Sequence, residues 1–151
     1  MTQGTQHSAD DPRNADILIS INGEMKHRRE AMVSVFDSGF VLGDGVWEGF
    51  RVVGGHPVFL DAHLDRLYEG AKAIMLDIGL DRTALTRAIY DTLDANGMRG
   101  DGVHVRLMVT RGVKSTPYQD PRVTVGPATI VIIPEDKVAS VAGSRRGLSL
   151  C

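Results

Sequence analysis

Residues 36–74 read FDSGFVLGDGVWEGFRVVGGHPVFLDAHLDRLYEGAKAI, and this stretch decides the fold. From Phe40 to Leu60 it is β-prone and punctuated by glycine, first at Gly43-Asp44-Gly45 and again at Gly54-Gly55. The second pair, between FRVV and HPVFL, predicts a hairpin turn. Leu60, Leu64, Leu67, Ala71, Ile74 and Ile78 then recur at three- and four-residue steps, the period of a helix with one buried stripe, and Asp61 is placed to cap its start. A hairpin followed by an amphipathic helix is therefore the nucleus of the domain.

Toward the C-terminus, Leu80, Ala84, Leu85, Ala88, Ile89 and Leu93 repeat the helical period, with Asp81 as cap and Gly97 as terminator. Val103, Val105, Leu107 and Val109 alternate with His104, Arg106, Met108 and Thr110, which predicts a strand burying one face. After a loop over Lys114 to Arg122, ATIVIIP is a continuous apolar run and reads as a central strand. Toward the N-terminus, Ile17 to Ile21 and Asn22-Gly23 predict a second hairpin. Its returning strand carries Lys26 to Arg29 as a solvated, aggregation-resisting edge. The polar segment Met1–Asn14 has little to bury and reads as a disordered leader. The expected architecture is α+β, an antiparallel sheet with two helices packed on it, over residues 15–134. Residues 135–151 read as a linker and the start of a second domain, since Arg146 to Cys151 resembles a strand without a partner.

The chain of 151 residues, 42% hydrophobic, suits one globular domain and is short for a cofactor-dependent enzyme. A net charge of -2 with interspersed signs gives neither a basic footprint for nucleic acid nor a polybasic membrane anchor. Small-molecule or protein partners are expected instead. No stretch reaches the apolar length of a membrane-spanning helix, and the start lacks the apolar centre of a secretory signal, so the cytoplasm is the default location. Cys151 is the single cysteine, which leaves no internal disulfide and no thiolate cluster for zinc.

No P-loop, HExxH helix, GxGxxG or GxSxG motif is present. Taken singly, Gly43-Asp44-Gly45 is a tight turn or bulge, and His63 and His104 are ordinary hydrogen-bonded histidines. Read as one unit, Phe36 to Ile74 resembles the amino-terminal signature of class IV aminotransferases, the branched-chain and D-amino-acid transaminase type. An acidic-x-glycine turn leads into a GDG-V-aromatic-E strand, a hairpin, and a helix that begins with H-x-x-R-L. The likeness covers most of Asn22 to Pro134 and includes VRLMVTRG, which is similar to the family's inner strand. Several separated motifs in the right order are far more specific than any one of them.

The resemblance implies pyridoxal 5'-phosphate as cofactor, an amino acid and a 2-oxo acid as substrates, and a homodimer. It assigns Arg66 to the cofactor phosphate, a role that suits a guanidinium: its planar fork of donors matches a phosphate and stays charged. The structural alternative is an exposed helical arginine paired with a neighbouring carboxylate. Trp47 matches a pocket-lining tyrosine or phenylalanine, or else is a core aromatic. His104 and Arg106 match positions that receive a substrate carboxylate, and two residues apart on a strand they share a face. At the first of these, branched-chain members carry tyrosine. Arg51 and Arg111 are weaker substrate-binding candidates, with loop anchoring as their alternative.

The lysine that binds the cofactor covalently lies in the family's second domain, and none of Lys26, Lys72, Lys114 and Lys137 sits in matching context. It is expected beyond Cys151, so transamination, with branched-chain substrates favoured, belongs to a longer polypeptide. Two other readings stay open: an aminodeoxychorismate-type lyase on the same scaffold, and a non-catalytic binding or assembly domain.

Overall fold

Six antiparallel strands form one sheet in the computed structural model, which describes residues 11–137. In chain order they are β1 (Leu18–Ile21), β2 (Glu24–His27), β3 (Gly45–Val53), β4 (His56–Pro57), β5 (Val103–Thr110) and β6 (Thr129–Asp136), and their order across the sheet is β2-β1-β6-β5-β3-β4. Three helices are present among these residues: a short α1 (Ser38–Leu42), then α2 (Leu60–Ala73) and α3 (Arg82–Ala95). The expected α+β architecture is the one observed.

Periodicity explains how the layers meet. Along β5 the valines and Leu107 are buried while His104, Arg106, Met108 and Thr110 stay half-buried, as alternation requires. Leu64, Leu67 and Ala71 of α2 and Leu85, Ile89 and Leu93 of α3 turn one stripe inward and close over Phe50, Val52, Val105, Leu107 and Ile132. Helix α2 packs on β3, and α3 packs on β1 and β6. One face of the sheet thus carries the helices, and the opposite face of β3 and β5 does not.

Several local expectations are corrected. Residues 38–42 are helical rather than extended, because Asp37 accepts from the Gly39 amide as N-cap and Gly43 closes the turn at φ 68, a left-handed conformation that glycine adopts freely. Asp61 does not cap α2. The hairpin forces Phe59 into the N-cap position at φ 53 with no side-chain cap bond, and Asp61 lies inside the first turn. Helix α2 ends at Ala73, so Ile78 reaches the core from the following loop. Asp81 does cap α3 through the Ala84 amide.

At the sheet edges, Asn22-Gly23 closes the first hairpin with Ile21 opposite Glu24, and Lys26 lies on edge strand β2. Arg28 is no free edge charge, since it donates to Asn14 O at 3.2 Å and to Glu135 at 3.5 Å. The leader expectation fails for residues 11–14. Pro12–Asn14 forms a 3-10 turn capped by Asp11, and the buried Asn14 side chain bonds both the N–H and the carbonyl of Asp136. Strand β6 is central, as expected, and runs on past Pro134. Pro134 is tolerated there because β1 pairs with β6 only at Val131 and Ile132, leaving no partner for its missing N–H. Residues 1–10, most of the expected linker and the expected strand at Arg146 to Cys151 lie outside the described residues. No described helix is long and apolar enough to cross a membrane.

Leu64 is fully buried between α2 and the sheet. Leu64→Ala is expected to lower unfolding stability by about 2–5 kcal/mol, the usual result of opening a cavity in a packed core. A urea titration checks this: the midpoint falls while the slope is unchanged.

Candidate functional site

Strand β3 divides the site residues. Its even-numbered positions Val46, Glu48, Phe50 and Val52 face the helices, whereas Trp47, Gly49, Arg51 and Val53 take the other face. Glu48 is therefore a carboxylate placed among core side chains, 2% exposed. It accepts from Arg66 Nε at 2.6 Å and Arg66 Nη2 at 2.5 Å, and from His63 Nδ1 at 2.7 Å. His63 and Arg66 stand one turn apart on α2, the spacing that puts two helical residues on one face. The Arg66 fork holds the Glu48 carboxyl below its ordinary 4.5, overcoming the upward push of burial, and His63 adds to the effect. Stability from this cluster is thus complete above about pH 4.5 and is lost as pH falls toward the lower folded value.

On the opposite face, the register sets Gly49 against Arg106 and Arg51 against His104. The Arg106 guanidinium lies 4.3 Å from the centroid of the Trp47 ring, a cation–π contact. A side chain at Gly49 would meet His104 Nε2 at 3.2 Å, so the glycine makes room for the imidazole across the strand. Arg51 donates to Lys137 O at 2.6 Å. Burial first, and then the charges of Lys137, Arg51 and Arg106, hold His104 below its ordinary 6.5, opposed by Glu135. A neutral imidazole among three cations is a surface that attracts an anion.

Arg111 has another employment. Its Nε and Nη2 fork onto the Asp44 carboxylate at 2.7 and 3.1 Å, and Nη1 and Nη2 reach Met75 O and Ile74 O at 2.8 and 2.7 Å. It ties the Gly43-Asp44-Gly45 turn to the C-terminal end of α2, where carbonyls lack helical partners. Every guanidinium nitrogen of Arg111 is engaged in this tie, the arrangement of the loop anchor given as its alternative.

A family model described as Amino-transferase class IV matches residues 45–146. The chain belongs to the class IV aminotransferase family. It is 41% identical over 126 residues to branched-chain-amino-acid aminotransferase-like protein 1 of Arabidopsis thaliana, covering 83% of this chain and 22% of that protein. Among solved structures it is similar to a hypothetical aminotransferase from Mycobacterium tuberculosis in a PLP-bound form, with TM-score 0.67 and 25% identity over 85% of this chain and 43% of that one. It is similar also to 4-amino-4-deoxychorismate lyase from Pseudomonas aeruginosa, with TM-score 0.65 and 28% identity over 83% of this chain and 42% of that one. The chain thus spans less than half the length of these relatives.

In this class IV domain, Trp47, Arg51, His104 and Arg106 come together on one face, and Arg66 lies on the other side of β3. Trp47 is 61% exposed and is no core aromatic. The sequence singles out neither Glu48 nor Gly49 as a site residue, and taken singly His63 reads as an ordinary hydrogen-bonded histidine, whose partner is Glu48. The alternation that predicts β5 also turns Glu48 inward, and the H-x-x-R spacing pairs His63 with Arg66, so a signal for both existed.

His104 is expected to titrate below 6.5, and Arg106→Met to move its midpoint upward by removing one repelling charge. Because the folded value is depressed, this group leaves stability untouched above pH 6.5 and lowers it as pH falls through the folded value. Imidazole proton resonances followed by NMR read the first effect. A midpoint at or above 6.5 contradicts the environment described.

Proposed function

We propose that the polypeptide carrying this domain transfers an amino group between an amino acid and a 2-oxo acid, using pyridoxal 5'-phosphate. The observation that carries the reading is the state of Arg66. Its fork on Glu48 uses Nε and one edge of Nη2, while Nη1 has no protein acceptor among the described residues and the side chain is 70% exposed. A fixed guanidinium with one edge committed inward and donors free outward fits a phosphate group.

The open face supplies the second half. Arg106 on its Trp47 platform, with Arg51, Lys137 and the neutral His104, fits the carboxylate of an amino or 2-oxo acid. Strand β4 pairs with β3 only at Val52 and Val53, so from Gly45 to Phe50 that edge of β3 has no strand beside it among the described residues. A ligand spanning this edge would reach both faces.

When bound, the cofactor supplies the electron sink that lets the amino acid lose its α-proton. This domain's residues hold and orient: Arg66 the phosphate, Arg106 the carboxylate, and His104 a hydrogen bond at the same face. Trp47 covers one side of the Arg106 guanidinium. The covalent lysine is assigned to none of this chain's lysines. Lys114 is buried and donates to Asp120 O, Lys26 pairs with Glu24, and Lys137 pairs with Glu135. Branched-chain substrates are favoured by the likeness to the Arabidopsis protein. A homodimer is part of the same reading, supported by apolar side chains such as Phe36, Phe40 and Phe59 that stay exposed on the isolated domain, and the cytoplasm is its proposed location.

Mixing the polypeptide that carries this domain with pyridoxal 5'-phosphate should give an absorbance band that borohydride abolishes, and no such band defeats the proposal. Arg66→Ala is a poor test, since it leaves the buried Glu48 carboxylate with His63 alone. Arg66→Lys keeps a counter-charge, loses the fork, and should weaken cofactor binding by roughly tenfold or more. The likeness to the lyase supports one rival, which release of pyruvate without an added 2-oxo acid would identify.

A further inference from the structure

Glu48 is an expensive residue to place where it is. A carboxylate 2% exposed on the packed side of β3 loses its hydration, and a hydrophobic side chain of similar size would serve the core as well. Its three acceptor contacts show what it does there. Two are the side-on pair to Arg66 Nε and Nη2, and the third is His63 Nδ1. An ionised carboxylate can only accept, so Nδ1 of His63 carries the proton in this bond. The His63 ring in turn lies 5.5 Å from the Phe50 ring, tilted at 45°.

The arrangement fixes a side chain that would otherwise roam. Arg66 is 70% exposed, and a long solvated arginine samples many rotamers unless something selects one. The side-on contact leaves both N–H groups of Nη1 and the second N–H of Nη2 pointing away from the core, without a protein acceptor among the described residues. One N–H of Nη1 and the free N–H of Nη2 lie parallel and form the end-on edge of the guanidinium.

We propose that Glu48 is a positioning residue, backed by His63, which holds Arg66 with that edge presented to the cofactor phosphate. The proposal rests on the reading of Arg66 as phosphate anchor. Two opposed effects follow from the carboxylate. Holding the rotamer removes an ordering cost from binding, while the negative charge repels the phosphate from behind the guanidinium. The intervening cation takes up most of that charge, and the fork is rigid. Positioning therefore outweighs repulsion.

The readout is the affinity of the full polypeptide for pyridoxal 5'-phosphate divided by its affinity for pyridoxal, both measured by fluorescence quenching, with thermal unfolding followed alongside. The ratio reports phosphate anchoring and is insensitive to general loosening, which lowers both affinities together. Glu48→Gln should reduce it roughly three- to tenfold, the range for releasing one ordered side chain. Glu48→Asp keeps the charge but falls a methylene short of the fork, and should reduce the ratio as well; His63→Gln should reduce it less. Inorganic phosphate should compete with pyridoxal 5'-phosphate more weakly in the same variants. A ratio that stays level, or rises because repulsion has been removed, in both Glu48 variants overturns the proposal. Arg66→Lys separates the two readings: if it leaves the ratio unchanged, Arg66 itself is no anchor. Should Glu48→Gln fail to fold, Glu48→Asp and His63→Gln decide the question on the same ratio.

Discussion

A strand sends successive side chains to opposite sides, and β3 is where this constraint governs the molecule. Within nine residues it supplies Phe50 and Val52 to the core, Glu48 to the underside of α2, and Trp47, Gly49 and Arg51 to the face without helices. A register shift by one residue would bury the indole and Arg51 and expose Phe50. The long pairing with β5, from Gly45 opposite Thr110 to Arg51 opposite His104, prevents this. Core and site are thus specified by the same ladder of hydrogen bonds.

Charge is treated differently on the two sides. Behind β3 the ions are matched, since Glu48 meets Arg66 and His63 within hydrogen-bonding distance and the cluster has little reason to attract another charge except at the outer edge of Arg66. On the other face Arg51, Arg106 and Lys137 surround an imidazole that stays neutral, and Glu135 is the carboxylate set against them. The first arrangement holds a shape. The second leaves Arg51 and Arg106 without a carboxylate partner among the described residues, while Lys137 meets Glu135.

Much of this was legible in the sequence. The two-residue period of Val103 to Thr110, the glycine pair at residues 54–55 and the helical steps from Leu60 to Ala71 and from Ala84 to Leu93 map onto elements, because each expresses one-sided burial or a turn that side chains resist. Ile74, Ile78 and Leu80, counted in the same stripes, lie outside the helices, and Ile74 and Leu80 are exposed. What stayed hidden depends on partners distant along the chain. Helix α1 reads as extended because Phe40 and Val41 favour strands, and it is Asp37 and Gly43 at its ends that close it as a helix. Lys114 reads only as the start of a loop, yet it is 2% exposed, folded back on Asp120 O within that loop. Arg111 finds two of its acceptors in the backbone carbonyls of Ile74 and Met75, groups that every sequence possesses and none advertises. Asn14 is tied to the domain by the backbone of Asp136, at the far end of β6, and by Arg28, both distant along the chain.

The tie made by Arg111 has a mechanical meaning. Strand β5 carries His104 and Arg106, α2 carries Arg66, and the turn held by Asp44 leads into Trp47; one guanidinium is bonded to the ends of all three elements. Sliding α2 along the sheet would break both bonds from Arg111 to Ile74 O and Met75 O at once. The separation between the donors of Arg66 and those of Arg106 is therefore a gauge length set by the scaffold. On the proposed reading of the two arginines, a ligand that engages both is measured against that length before any of its own side chains meets a pocket wall.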